Sequence, residues 1–91
     1  MARIDIRRKH DYNMKDAKKA VDKLAKKIAK EFDVECAWEG NTLAFSRSGV
    51  DGHIALSKDE IHVYVELGFL MGVMKGTVER EINRHLDEQL G

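Results

Sequence analysis

Ala2, Ile4 and Ile6 alternate with Arg3, Asp5 and Arg7, a period of two that predicts a half-buried strand at the start of the chain. The period then lengthens. Ala17, Val21, Leu24, Ile28 and Phe32 recur at helical spacing and predict an amphipathic helix from Asn13 to Phe32. Asn13 is its expected cap, with Asp16 three residues on beside the positive helix end. Ala20, Ala25 and Ala29 add helix propensity.

Three hairpins follow. Gly40-Asn41 is a two-residue turn that places Trp38 opposite Leu43, Cys36 opposite Phe45 and Ala37 opposite Ala44. Gly49-Val50, with glycine at the first central position, pairs Phe45 with Ile54 and Leu43 with Leu56. A loop around Lys58-Asp59 pairs Leu56 with Ile61 and Ile54 with Val63. All three registers put the same apolar set on one side, and a one-residue slip would reverse the faces. After Leu67 the spacing of Met74, Val78, Ile82, Leu86 and Leu90 predicts a second helix ending at Gly91.

The order strand, helix, four strands, helix is that of an α+β fold: a five-stranded antiparallel sheet with two helices packed on one face, a reduced helix-grip arrangement. Pairing the first strand with the last makes Arg3 and Arg7 face Glu60 and Glu66 on the outer side. That face is small at its centre (Ala37, Ala44, Ala55, Ser46) and charged at its edges, which suits sheet-to-sheet docking as a weak two-fold dimer.

Ninety-one residues, 43% apolar and 35% charged, are expected to form one soluble domain over residues 1–91. The start of the chain does not resemble a secretion signal. The longest nearly apolar run, Leu67 to Met74, is far short of the roughly 20 residues of a membrane span. A lone Cys36 suits a reducing, cytoplasmic setting. The net charge is zero but divided: residues 1–30 hold eleven Lys/Arg against four Asp/Glu, and residues 31–91 hold five against twelve. The basic excess lies on the first helix, where Lys15, Lys19, Lys23, Lys26 and Lys30 form a candidate anion-binding face. Nucleic acid is a poor match, because no aromatics interleave with the lysines and arginine is absent from the helix. A plainly solvated face is the competing reading.

Catalytic chemistry is thin. Cys36 falls on the core face and is expected to be buried and inert. His53 and His62 are diagonal neighbours on the outer face near Glu66, but a third metal ligand at good spacing is missing. His10 and His85 have no evident partner in the sequence. The Ser46-Arg47-Ser48-Gly49 stretch lacks the leading glycine of a nucleophile elbow, and no phosphate or dinucleotide loop occurs. No cofactor or metal is expected, and enzyme is the weaker hypothesis.

Gly68, Gly72 and Gly76 are spaced by four residues. If the second helix already includes them, Met71 and Met74 join its core stripe. Phe69 and Val73 then point outward beside Gly72 and Gly76, a candidate partner-binding surface. Otherwise residues 68–74 are a buried connection and the helix starts later.

The opening Ala2-Arg-Ile-Asp-Ile-Arg-Arg-Lys-His10, the Trp38-x-Gly40 pair, the Phe45-Ser-Arg-Ser-Gly-Val-Asp-Gly52 hairpin and the Leu67-Gly68…Met74-Lys-Gly76…Glu79-x-Glu81-Ile82 stretch resemble the polyhydroxyalkanoic acid system family. These are small bacterial proteins also described as polyhydroxyalkanoate granule-region proteins. The resemblance covers essentially the whole chain and implies a setting at polyester storage granules, with no catalytic residues to carry over. The expected function is a non-enzymatic accessory protein that binds a granule surface or a granule protein. A small module for a hydrophobic ligand such as an acyl chain, or an anion-binding protein using the lysine helix, are the alternatives.

Overall fold

The computed structural model describes residues 2–68 and 72–90. Strand β1 (Ala2–Lys9) leads into helix α1 (Met14–Phe32), followed by β2 (Glu35–Glu39), β3 (Thr42–Arg47), β4 (Val50–Leu56) and β5 (Glu60–Leu67). A 3-10 turn at Gly72–Met74 enters helix α2 (Lys75–Leu90). The strands form one antiparallel sheet in the order β1-β5-β4-β3-β2, with the first strand paired to the last as the charge pattern requires.

One parity of each strand faces the helices. Ile4, Leu43, Phe45, Ile54, Ile61, Val63 and Val65 meet Val21, Leu24, Ile28, Ile82 and Leu86 in a single buried cluster. Asn13 caps α1 by accepting the Asp16 N–H at 2.8 Å. The helix ends at Asp33, whose left-handed backbone (φ 55°) returns its N–H to Ala29. Arg47 donates to the Phe32 carbonyl at 2.8 Å, placing a cation at the negative end of the helix. Arg8 shares the parity of Ile4 and Ile6 and reaches Asp87 and Asn83 of α2, fastening β1 to that helix.

The first and third hairpins have the expected registers, Cys36 opposite Phe45 and Leu56 opposite Ile61. The middle one does not. Arg47 pairs with Val50, so Ser48 and Gly49 make the turn, Leu43 faces Ile54, and Phe45 faces Gly52. This is a shift of two residues, which preserves both faces. Two features select it: Gly49 takes φ 85° at the second turn position, and Gly52 has no Cβ where the Phe45 ring lies. A Cβ built there would stand 2.7 Å from one ring carbon and 2.6 Å from the Tyr64 carbonyl oxygen.

After Leu67 the helix starts late, at Lys75, as in the second alternative, but the connection is not buried: Val73 and Met74 are exposed. Gly68 N–H bonds to the Gly49 carbonyl at 2.8 Å, and Gly72 N–H bonds to the Gly68 carbonyl at 2.9 Å. The three glycines therefore do not line one helix face. Gly68 packs on Gly49, Gly72 lies against Ala2, and only Gly76 is open. Met74 is 37% exposed rather than part of the core stripe, which begins at Val78. Met71 lies outside the described residues.

Candidate functional site

No constellation of catalytic type assembles among the described residues, but several surfaces have defined chemistry. The lysine stripe is the first. At 3.6 residues per turn, positions 15, 19, 23, 26 and 30 fall within an arc of about 80° and run for about 22 Å. The buried Ala17, Val21, Leu24 and Ile28 lie on the opposite side of α1. Lys26 pairs with Asp22 at 3.1 Å. No ion pair or hydrogen bond among the described residues engages the ammonium groups of Lys15, Lys19, Lys23 or Lys30. The structure thus keeps the anion-binding candidates together on one solvent-facing ridge.

A second surface lies where β5 ends and α2 begins. Val73 is 90% exposed on the 3-10 turn, with Met74 beside it. Phe69, its expected companion, lies outside the described residues. Close by, a cleft lined only by apolar side chains, among them Ile28, Phe32, Val34, Val50, Leu67 and Val78, opens between the two helices and the sheet. Its free volume is about 20 Å³, the room of about one water. Neither Trp38 nor a described methionine lines it.

The outer sheet face carries no helix. Three rows cross it from β1 to β2: Arg7–His62–Ala55–Thr42–Glu39, Asp5–Tyr64–His53–Ala44–Ala37 and Arg3–Glu66–Asp51–Ser46–Glu35. His53 and His62 are neighbours there, with ring centroids 6.3 Å apart. His62 Nε2 is held by Asp5 at 2.8 Å, and the Tyr64 hydroxyl donates to Glu66 at 2.8 Å. That donated proton raises the Tyr64 pKa. With Asp5 and Tyr64 as their partners, His62 and Glu66 form paired contacts rather than a ligand set.

Sequence reasoning missed the polar contact between the helices. His85, only 5% exposed, places Nε2 at 3.0 Å from Glu31 of α1, 54 residues away. Its Nδ1 has no hydrogen-bond partner among the described residues and lies 3.7 Å from Glu88. Glu31, Glu81 and His85 each bring a ligand atom within 4.8 Å of the others, a spacing compatible with a divalent cation. Positive charge is already supplied there by Arg84, which donates to Glu81 at 2.8 Å and to Glu88 at 3.2 Å. That contact holds the Glu81 carboxyl below the usual range and raises the guanidinium in turn. His10, likewise buried, bonds the Ser57 carbonyl through Nε2 and accepts the Tyr12 N–H at Nδ1, so it locks the β1–α1 connection.

Cys36 is a correction. It does face the helix layer, with Sγ 3.9 Å from the Ala25 carbonyl, but β2 is an edge strand and the residue is exposed. Alternation gives a side, and only position in the sheet gives depth. Partial desolvation, with the charge of Asp22 adding to it, raises the thiol pKa. The neighbouring Trp38 donates its indole N–H to Asp22 at 3.1 Å while Lys18 sits 4.8 Å over its ring. The indole bond and Lys26 together hold the Asp22 carboxyl below its ordinary value. Cys36 is expected to label in the native protein without denaturant, with a rate that keeps rising to higher pH than for free cysteine. A chromogenic disulfide reagent followed across a pH series measures this, and labelling only after unfolding contradicts it.

Over residues 4–90 the chain matches the family described as "Putative polyhydroxyalkanoic acid system protein". No curated protein and no solved structure matches it. The match runs from within β1 to the last turn of α2, nearly the whole chain, so the chain belongs to the polyhydroxyalkanoic acid system family.

Proposed function

We propose that this protein is a non-enzymatic accessory factor of the polyhydroxyalkanoate granule system, a single domain that binds a granule surface or a granule protein in the cytoplasm. The observation that carries the contact is Val73, a large apolar side chain held almost fully in solvent on the 3-10 turn that leads into α2. Isolated surface hydrophobics are ordinary. Here Val73 and Met74 are both exposed where β5 gives way to α2, next to an open Gly76, which favours an apolar partner such as a polyester surface. No helix among the described residues is long and apolar enough to cross a membrane, so contact at a surface rather than insertion fits this layer of helices.

The lysine ridge favours a second reading, attachment to an anionic component of the same granules, because five ammonium groups share one helix face. The acyl-chain reading loses support: a free volume of about 20 Å³ between sheet and helices is far below what an alkyl chain occupies.

Native granules purified from a polyester-producing bacterium provide the test. The protein is expected to co-sediment with them. Val73→Ser weakens this about tenfold, as expected for one aliphatic side chain of roughly 1.5 kcal/mol, and adding Phe69→Ser weakens it further. Melting of the Val73→Ser variant is unchanged. Replacing the five ridge lysines by glutamine, together with a salt series, separates the two readings: a steep salt dependence lost in this variant assigns the contact to the ridge. A wild-type protein that stays in the supernatant at low and high salt overturns the proposal.

A further inference from the structure

Along the three outer-face rows, charge and size are distributed so that the face complements itself. Its β1 side carries Arg3 and Arg7 and its β2 side carries Glu35 and Glu39, in the first and third rows. Arg3, Glu35 and Glu39 make no ion pair with any described residue, and Arg7 contacts Glu60 at 3.2 Å while remaining largely exposed. Beside β1, strand β5 presents large side chains, including Tyr64. The corresponding strand on the other side of β4 is β3, and it presents Thr42, Ala44 and Ser46. The middle strand of the five is β4.

We infer that this face binds a second copy of the chain, sheet against sheet, about a two-fold axis lying along β4 between the two sheets. Such an axis keeps each row in place and reverses it. Arg3 then lies over Glu35 of the second copy, Arg7 over Glu39, and the Tyr64 ring over the small Ala44. Each pair occurs twice, as an isologous interface demands. Charge meets countercharge at both rims, and large side chains meet small ones between rim and axis.

Aligned sheets cross at about 30°, which displaces the rims by about 5 Å along the strands, an offset an arginine side chain can span. The same rotation moves the two copies of Asp51, which lies in an end row of β4, apart from each other. His53, at the centre, stacks near its own copy. Five strands about 4.8 Å apart, with a span of about 20 Å, give a face of about 500 Å² per copy. Twice that is at the lower limit for a specific interface, so the dimer is weak. Both helical layers then point outward, so each dimer carries its two lysine ridges on opposite sides, the form of a bridge between two surfaces. The two Val73 turns lie toward the same end, because the axis runs along the strands. The inference stands on the sheet alone and does not require the granule reading.

Sedimentation velocity at low salt, from micromolar to near-millimolar protein, tests it with two variants, Arg3→Glu/Arg7→Glu and Glu35→Arg/Glu39→Arg. All four exchanged positions are exposed, so both variants are expected to melt as the wild type does, and their circular dichroism checks the fold. Wild type is expected to dimerise at high concentration and to lose the dimer with added salt. Each variant alone faces four like-charge contacts and stays monomeric. An equimolar mixture of the two restores all four attractions and dimerises at least tenfold more tightly than either alone. Ala44→Lys, which fills the seat of Tyr64 without touching the rims, is expected to remain monomeric. A wild type that is monomeric throughout overturns the inference and leaves the face to a different occupant. Variants that dimerise as wild type does, or a mixture that gains nothing over its parts, overturn this arrangement.

Discussion

Gly52→Ala is expected to lower the melting temperature by about 10–20 °C, the equivalent of about 2–3 kcal/mol for a domain of this size. The added methyl group has nowhere to go. It would lie 2.6 Å from the Tyr64 carbonyl oxygen and 2.7 and 2.8 Å from two carbons of the Phe45 ring. One obstacle is backbone inside the sheet. The other is a ring only 5% exposed, packed in the core. A flexible chain end could swing away, but these groups move only if the strand ladder or the core moves with them. Shortening the ring relieves one of the two collisions, so Phe45→Leu on the Gly52→Ala background recovers part of the loss. Residues in direct contact couple in this way. Thermal denaturation of the two single variants and the double variant measures it. A Gly52→Ala protein that melts with the wild type would show that the third and fourth strands pair in another register.

The next largest effect is expected between the helices. Glu31→Ala removes the acceptor 3.0 Å from His85 Nε2. Because Nδ1 already has no partner among the described residues, the variant leaves a buried ring with neither nitrogen bonded to them. The penalty for such a group is about 1–3 kcal/mol. His85→Leu follows the opposite logic. It replaces a buried polar ring with an apolar side chain of similar size, beside Leu86 and Ile82 of the core, and frees Glu31 to be solvated. Stability is then expected to be unchanged or slightly increased. In the double variant Glu31→Ala/His85→Leu most of the single loss disappears, because no polar group remains to be orphaned. Urea denaturation at fixed pH compares the four proteins. Equal losses for Glu31→Ala and His85→Leu would mean that the ring packs as a shape rather than as a hydrogen-bonding group.

His85 also shows where sequence reasoning stops. Its partner is on the other helix, and nothing in a helical period marks one glutamate of α1 over another. The two meet because α1 and α2 lie side by side on the sheet, a fact of packing. The partners of Arg8 on α2 are hidden for the same reason. Val73 is a contrasting case: its exposure was expected from a helix running through Gly68, yet it arises from a 3-10 turn that precedes the helix. The side chain reaches solvent for a different reason from the one its spacing suggested.

What the sequence by itself determined is the set of elements and the side each strand turns to the core. Alternation in Ala2–Arg7, the stripe from Ala17 to Phe32 and the agreement of three hairpins carry that information locally, in periods of 2 and 3.6. The pairing of the first strand with the last was legible too, because it puts Arg3 and Arg7 on the same outer face as Glu60 and Glu66, and Arg7 does reach Glu60. The tertiary structure alone decided three things. It chose the β3–β4 register, since a slip of two residues leaves every face unchanged and only the space above Gly52 distinguishes the alternatives. It set the depth of Cys36, since alternation fixes direction while an edge strand fixes exposure. And it brought Glu31 to His85, since two residues far apart in the chain become neighbours only when the helices that hold them bury their apolar stripes against the same sheet.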